Sequence, residues 1–442
     1  MKKKVKRYPS YKESGIEWIG NIPESWEVKP LYVLFSELKN KNFGNLETNV
    51  LSLSYGNIVS RNVETNMGLL PESFETYNIV NEGNIVLRLT DLQNDKKSLR
   101  CGYVKRKGII TSAYTTLQKK REEFNSYFYY FLLHSYDISK VFYNLGAGVR
   151  QSMSFSDLKR MPLLVMSLAE QTQIVKFLEE KIADIDSLIT DKEKLIELLE
   201  EQRQSVIAEA VTKGLDPNVN MKDSGVEWIG EIPEHWEEKR IKYLFSEVND
   251  RNFNEEAELL SLFTSIGVRP RKDMEQKGNK SQTVINYKIV RKGDIVVNKL
   301  LAWMGSIGIS KFDGVTSPDY DVYRPLNKDL VNKDYYHYYF RNFYFKGDCY
   351  KYGRGIMLMR WRTYSEDFKK ILVTLPPIEE QNQIANYLDK ISNEIDYLID
   401  NNLKVINKLK EYRQSLIYEA VTGKIDVREM VDVTKQGEVS SS

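Results

Sequence analysis

Short apolar or alternating runs recur along much of the chain: VLSLSY from Val50, NIVLRL from Asn84, GIITS from Gly108, LLSLF from Leu259 and DIVVNKL from Asp294. Gly, Asn and Asp punctuate them, a pattern that predicts short strands joined by tight turns. Each strand-rich region closes on an aromatic stretch that predicts a helix: NSYFYYFLLHSYDISKVFYNLG, stopped by Gly146, and NKDYYHYYFRNFYFKGDCYKYG, stopped by Gly353. The period then changes. Leu178, Ile182, Ile185, Ile189, Lys192, Ile196, Leu199, Arg203 and Val206 follow steps of four and three, as do Leu388, Ser392, Ile395, Ile399, Asn402, Ile406, Leu409, Arg413 and Leu416. That is a heptad seam, and it predicts two long helices of roughly 40 residues, each about 60 Å in length. Ser167-Leu-Ala-Glu170 reads as a capping box at the first start, Pro377 fits the first turn of the second, and Gly214 and Gly423 supply stops.

The two sets of elements are one unit written twice. SGIEWIGNIPESWEVKPLYVLF from Ser14 returns as SGVEWIGEIPEHWEEKRIKYLF from Ser224. Trp18 matches Trp228, Trp26 matches Trp236, Gln171 matches Gln381 and Arg203 matches Arg413, each 210 positions on. Gly146 and Gly148 match Gly353 and Gly355 at 207, so the frame is shared while the loops between anchors differ. A repeat this long is a duplicated domain plus helix, not a solenoid. The expected organisation is an N-terminal stub over 1–25, a strand-rich domain over 26–166, a long helix over 167–213, a linker over 214–235, a second domain over 236–376, a second helix over 377–423 and a polar, disordered tail over 424–442. The fold class is α+β. A narrow apolar stripe needs a partner, and the nearest equal one is the other copy. Lys192 and Asn402 interrupt the stripes at equivalent places, as do Arg203 and Arg413; such residues fix register at some expense of stability, or carry their charge out to water.

Composition narrows the chemistry. Apolar residues make up 41% and charged residues 29%, ordinary for a globular protein, and Tyr leads an aromatic share of 12%. A net charge of +2 means that any basic footprint must be local. Cys101 and Cys349 lie far apart, and His134, His235 and His337 are scattered, so neither a disulfide framework nor a metal site is expected and a reducing cytoplasm is the default. No stretch is long and apolar enough to cross a membrane. Catalytic motifs do not assemble. Leu375-Pro-Pro-Ile378 lacks the flanks of an amino-methyltransferase loop. Pro318-Asp-Tyr-Asp321 resembles half of a nuclease motif, but the nearest Glu-x-Lys, at Glu179-Glu180-Lys181, lies on the heptad helix. No Walker loop or G-x-S-x-G occurs. A self-contained restriction or methylating enzyme, and a coiled-coil scaffold that binds no DNA, are two readings still open at this point.

The order of motifs resembles the specificity subunit of Type I restriction–modification systems. A Gly-rich turn (GAGVRQSMS; GRGIMLMRW) precedes a short helix (FSDLKRM; SEDFKKI) and an apolar strand running into L-x-x-E-Q-x-x-I (SLAEQTQI; PPIEEQNQI), and both copies begin SG-[IV]-EWIG-x-IPE-x-W. The resemblance spans nearly the whole chain, twice. It implies two target-recognition domains, each binding half of a split asymmetric target in double-stranded DNA, separated by long antiparallel helices that act as a ruler. It implies no catalytic role and no cofactor in this chain. Two modification subunits, with bound S-adenosylmethionine, would methylate adenine N6, and restriction subunits would join them. It also places the N-terminal stub by the end of the second helix, near Gly423.

Candidate DNA contacts in the first domain are Arg61, Arg88, Lys105, Arg106, Lys107, Arg150, Gln151 and Ser152; in the second they are Arg269, Arg271, Lys272, Lys299, Arg354, Arg360 and Arg362. Lysines would meet phosphates, and Arg or Gln would read base edges in bidentate fashion. Residues beside the Gly-rich turns are favoured, because Gly lets a backbone approach closely. Tyr114 and Tyr320 could face DNA or pack in the core; Trp18, Trp26, Trp228 and Trp236 belong to the shared frame and are expected to pack.

Overall fold

The computed structural model describes residues 6–61, 73–92, 98–144, 152–264, 266–273, 283–357 and 360–430. They fall into two compact units, one of Met1–Asp191 with Lys404–Ser442 and the other of Lys192–Leu403. The expected boundaries set the helices apart from the domains; the compact units divide within both long helices, so each takes one strand-rich domain and half of each helix.

In the first unit an antiparallel four-stranded sheet runs in the order Phe35–Glu37, Thr115–Lys119, Ile85–Leu87, Cys101–Tyr103. A hairpin of Leu51–Ser54 with Asn57–Ser60 and a pair of Asn78–Val80 with Gly108–Ile110 complete the strand-rich part. Leu51, Val80, Val86, Val104 and Ile110 form a buried cluster against which Tyr114 packs, which places that tyrosine on the core. Glu27–Pro30 pairs with Pro162–Val165, so the strand after the second opening-motif tryptophan lies beside the strand that leads into the helix. The second unit repeats the plan with a sheet of Phe245–Val248, Tyr320–Pro325, Ile295–Asn298 and Ile307–Ile309. Its hairpin is Leu260–Phe263 with Gly267–Pro270, and Glu237–Arg240 pairs with Leu372–Leu375. Tyr320 packs partly buried against Leu260, Val290 and Val322.

The aromatic stretches are helical but broken. Ser126–Ile138 is capped by Asn125, whose side chain accepts from Tyr127 and Phe128 N–H, and ends before Lys140 turns left-handed at φ 60°. Lys333–Arg341 ends at Asn342, which leaves the helix with extended backbone and whose side-chain oxygen accepts from Phe345 N–H at 2.9 Å to start a second helix, Phe345–Lys351. The aromatic pattern predicts one helix because both pieces bury the same kind of face; the polar hinge residue decides the break.

The long helices are Leu168–Lys213 and Ile378–Val421. Their seam matches the heptads: Ile185, Ile189 and Leu199 are buried on the first, and Leu388, Ile395, Asn402, Ile406 and Leu416 on the second. Within each unit the half-helices run antiparallel. In the first, Tyr8 links Glu170 near the start of one helix to Arg428 beyond the end of the other, and Arg413 ion-pairs with Asp186 farther along. In the second, Val211 O accepts from the hydroxyls of Tyr335 and Thr374, the latter just ahead of the second helix, and Arg203 ion-pairs with Asp396. The seam arginines therefore reach carboxylates on the facing helix rather than water alone. Asn402 turns its amide back onto Leu398 O at 2.8 Å.

The L-x-x-E-Q motif explains how a domain is fixed to a helix. Ser167 Oγ accepts from Glu170 N–H at 3.2 Å, but the Glu170 carboxylate does not return to Ser167 as a capping box requires. Glu170 Oε1 instead accepts from Trp26 Nε1–H at 3.0 Å and from Tyr8 OH at 2.8 Å, and Glu380 accepts from Trp236 Nε1–H at 2.9 Å and meets His235 Nε2 at 2.6 Å. Both indoles are fully buried. Buried Gln171 accepts from Asn125 N–H at 2.8 Å and donates to Met166 O at 2.9 Å; Gln381 does the same with Asn332 N–H and Pro376 O, both at 2.8 Å. The glutamate thus holds the opening motif and the glutamine holds the cap of the aromatic helix. At the far ends, Gly423 and Gly214 turn left-handed at φ 71° and 78°; a Cβ there would sit 2.4 Å from Pro23 and 3.2 Å from Trp236.

Residues 424–430, expected in a disordered tail, are packed. Ile425 and Val427 are buried, and Asp426 N–H donates to Lys6 O at 2.8 Å, which brings the N-terminal stub to the end of the second helix. The rest of the tail, 431–442, lies outside the described residues. The expected outcome of Glu170→Ala is a loss of about 2–4 kcal/mol, because two buried donors lose their acceptor. Glu170→Gln, which keeps an acceptor oxygen, should lose less than half as much; urea unfolding of both variants checks this.

Candidate nucleic-acid interface

Two segments of each domain carry the candidate residues, and the hairpin is the first. In the first unit Tyr55 and Gly56 turn it with φ 47° and 80°, the two positive values a tight antiparallel turn of matching twist requires. It delivers Arg61, whose N–H donates to Val50 O at 2.8 Å. Tyr130 OH donates to Gly56 O at 3.4 Å and the His134 ring lies against the same glycine, so the aromatic helix backs the turn. In the second unit Arg341, on the equivalent helix, donates to Thr264 O at 3.0 Å and Ile307 O at 3.2 Å, and backs the turn in the same way. Arg269 lies over the Phe312 ring at 6.0 Å and donates to Val268 O, while Lys272, mostly exposed, is ion-paired with Glu258. Arg271 follows the hairpin and is half-buried.

The second segment joins the sheet to the Gly-rich turn. Met153 N–H donates to Leu89 O at 2.8 Å, which brings Ser152 beside Arg88. The equivalent bond, Thr363 N–H to Lys299 O at 2.9 Å, brings Arg362 beside Lys299. Arg354 and Arg362 face each other in an antiparallel bridge, and Arg360 follows the same turn. Arg150 and Gln151 lie outside the described residues. Lys105, Arg106 and Lys107 are exposed between Cys101–Tyr103 and Gly108–Ile110, and Lys107 ion-pairs with Glu47 at 3.6 Å.

Lys299 has work within the fold. Its ammonium lies 3.3 Å from Asp321, which also receives Lys288 at 3.1 Å; Asp321 and Lys288 are only 4% and 5% exposed. Asp321, the second acid of the Pro318–Asp321 fragment, is therefore a counter-ion to two lysines. Asn78 occupies the place of Lys288 in the first unit, so the ionic site belongs to one domain. Among the described residues no group of three or more His, Cys, Asp or Glu is arranged to hold a metal ion. Both cysteines are free and buried.

Sequence reasoning missed the arginines that act inward. Arg100 is fully buried: its guanidinium donates to Thr90 O at 2.7 Å, Asp91 O at 3.2 Å, Arg88 O at 3.3 Å and Tyr143 OH at 3.1 Å, and so shapes the segment that carries Arg88. Arg324 clasps Asp294 through two bonds of 2.8 Å. Nothing in the spacing of the charges marks these as internal. The tryptophans pack: Trp18 meets Tyr136 edge-on at 5.8 Å, and Trp228 stacks on Tyr344 at 5.8 Å while donating to Asp348 at 2.6 Å.

The chain matches the Type I restriction modification DNA specificity domain twice, over residues 23–198 and 233–408, and it belongs to that family. It is a specificity subunit with two target-recognition domains, a non-catalytic DNA-recognition component that works with DNA and the other subunits of its complex. Among its relatives, the putative type I restriction enzyme MjaX specificity subunit of Methanocaldococcus jannaschii is 25% identical over 95% of this chain and 98% of its own length. The MjaVIII specificity subunit of the same organism is likewise 25% identical, with the same coverage of both chains. The fold is shared with a chain from a structure describing complex assembly and conformational transition of the type I R-M system, at TM-score 0.65 and 17% identity over 90% of this chain and 98% of that one. It is shared too with the HsdS subunit from Thermoanaerobacter tengcongensis, at 0.52 and 16% over 93% and 100%. No helix among the described residues is long and apolar enough to cross a membrane.

The two histidines behind the hairpins give a pH test. Burial pushes His134 down to about 4 and His337 to about 3, helped by Arg413 at the first and by Arg341, Lys311 and Arg269 at the second. An unfolded histidine titrates near about 6.5, so below that pH the unfolded chain binds more protons and stability falls with falling pH until the folded values are reached. Burial raises Asp137 and Asp348, and these act in the opposite direction, so the comparison must be with a variant. His337→Gln should make the slope of unfolding free energy against pH shallower by about one proton between about pH 4.5 and 6, measured by urea titrations across that range.

Proposed function

We propose that each domain reads one half of a bipartite, asymmetric sequence in double-stranded DNA, and that the paired long helices set the gap between the halves. The supporting observation is that one bond recurs in both copies, Met153 N–H to Leu89 O and Thr363 N–H to Lys299 O, with Ser152 and Arg362 as corresponding neighbours, while the loops around it differ. A common frame with divergent loops suits two half-sequences read by one mode. Half-sites read from one face of a duplex lie about 34–36 Å apart or at multiples of that spacing, and stiff helices hold such a distance where a flexible linker would not. In this reading Arg61, Arg88, Lys105, Arg106, Lys107, Arg150, Gln151 and Ser152 serve the first half-site, and Arg269, Arg271, Lys272, Lys299, Arg354, Arg360 and Arg362 the second.

The duplication also offers two equivalent docking places for two identical modification subunits, with restriction subunits joining them. Methyl transfer to adenine N6 would use S-adenosylmethionine held by the modification subunits; this chain's part is to recognise and to space. The chain's setting in this reading is the cytoplasm.

Mapping N6-methyladenine in cells with and without the gene should reveal one bipartite motif that disappears with it. Inserting a heptad into both long helices should lengthen the gap and leave both half-sequences intact; altered half-sequences at an unchanged gap would refute the ruler. In binding assays with the assembled complex, Arg362→Ala and Arg360→Ala should each lower the slope of log affinity against log salt by about one. Lys272→Ala should lower it by less, because the Glu258 carboxylate already offsets part of that charge.

A further inference from the structure

The Gly-rich loop of the second domain contains four consecutive apolar residues, Ile356-Met357-Leu358-Met359, between Arg354 and Arg360. The first domain has only Val149 in the corresponding place, before Arg150. Apolar side chains held in solvent oppose solubility unless something covers them. Of the two that are described, Ile356 is 93% exposed and Met357 56%.

The base of the loop is firmly built. Arg354 N–H donates to Arg362 O at 2.9 Å, Arg362 N–H returns to Arg354 O at 3.0 Å, and Arg360 N–H closes the turn on Met357 O at 2.8 Å. Trp361 stacks on Tyr350 with ring centres 4.9 Å apart and donates to Tyr350 O at 3.1 Å, and buried Thr363 donates to Cys349 O at 2.7 Å. A Cβ on Gly353 would lie 2.3 Å from Trp361 Nε1, so the arm sits directly on that ring. The charges oppose folding. Arg354 and Arg362 are directly opposite in the bridge, where like charges repel. Arg354 is relieved by Asp367 at 3.4 Å and by the Tyr364 ring, but Arg360 and Arg362 make no ion pair among the described residues. The loop needs an anion at its shoulders and an apolar seat at its tip.

A duplex offers both. Phosphates flank each groove, and an apolar side chain can enter between base pairs where the stack is weak, as at pyrimidine–purine steps. We propose that Ile356 and Met357 form a wedge that inserts into the DNA of the second half-site and kinks it, with Arg360 and Arg362 on the bordering phosphates. Target choice in this half then includes how readily one step unstacks, and the first half-site is read without such distortion. This rests on the DNA-recognition reading above and adds a mechanism to one half of it.

The test uses the complex of this chain with its modification subunits and the duplex target found by methylome mapping. 2-Aminopurine is placed at successive steps away from the methylated adenine, which the modification subunits would themselves extrude, and dyes at the two ends report bending. The wild-type complex should raise 2-aminopurine fluorescence several-fold at one step of the second half-site and bring the duplex ends closer. Ile356→Ala with Met357→Ala should abolish both signals and weaken binding about tenfold, of the order of one mismatched base pair, while Ile356→Leu retains them. Thermal melting confirms that the double variant is folded, as substitutions at an exposed tip should allow. Tight binding by the wild type to an undistorted duplex overturns the wedge and leaves the recognition reading intact; failure to bind any duplex overturns both. A double variant that still kinks the DNA but loses a modification subunit overturns the wedge in favour of a protein contact.

Discussion

The Glu170 carboxylate accepts hydrogen bonds from two buried donors at once, the Trp26 indole and the Tyr8 hydroxyl, and Glu380 holds Trp236 in the same way. These contacts join the start of each domain to the start of the helix that follows it, across 144 positions of sequence in each copy. Gln171 and Gln381, the next residues, hold the cap residues of the aromatic helices that back the hairpins. The orientation of a hairpin relative to its long helix therefore passes through two adjacent side chains. An apolar pair would also bury area, but it would not fix direction; hydrogen bonds from an indole and a backbone N–H do.

The long helices use charge in a comparable way. Their stripes are narrow, and burial of Ile and Leu at alternating steps of three and four would tolerate a slip by a heptad. Arg413 with Asp186 in one unit, and Arg203 with Asp396 in the other, attach register to particular residues. Exposed pairs of this kind add little stability, about 1 kcal/mol or less. What they supply is register within each unit, on which the proposed ruler would depend.

The loop-bearing surfaces of the two domains diverge where their frames agree. The second domain surrounds Asp321 with Lys288 and Lys299, and mounts an apolar-tipped arginine loop on Trp361 and Tyr350. The first has neutral Asn78 in the place of Lys288 and relies on buried Arg100 to shape the Arg88 segment. Two copies of one fold thus carry different chemistry. Part of that difference is inward-facing: Lys288 and Lys299 are absorbed as partners of Asp321 and add less to a basic surface than their number suggests.

The sequence by itself determined the duplication, the alternation of strand-rich and heptad segments and the polar interruptions of the seam, because those are periodicities, and periodicity is local. It also marked the E-Q pair, though as a helix start. Only the tertiary structure decided that Glu170 serves Trp26 instead of closing a capping box, that Asn342 and Lys140 break the aromatic helices, and that 424–430 pack beside Lys6. It also separated arginines that face outward, such as Arg360, from those such as Arg100 that face in. Each of these depends on which distant group lies within hydrogen-bond reach, a distance that no spacing along the chain encodes.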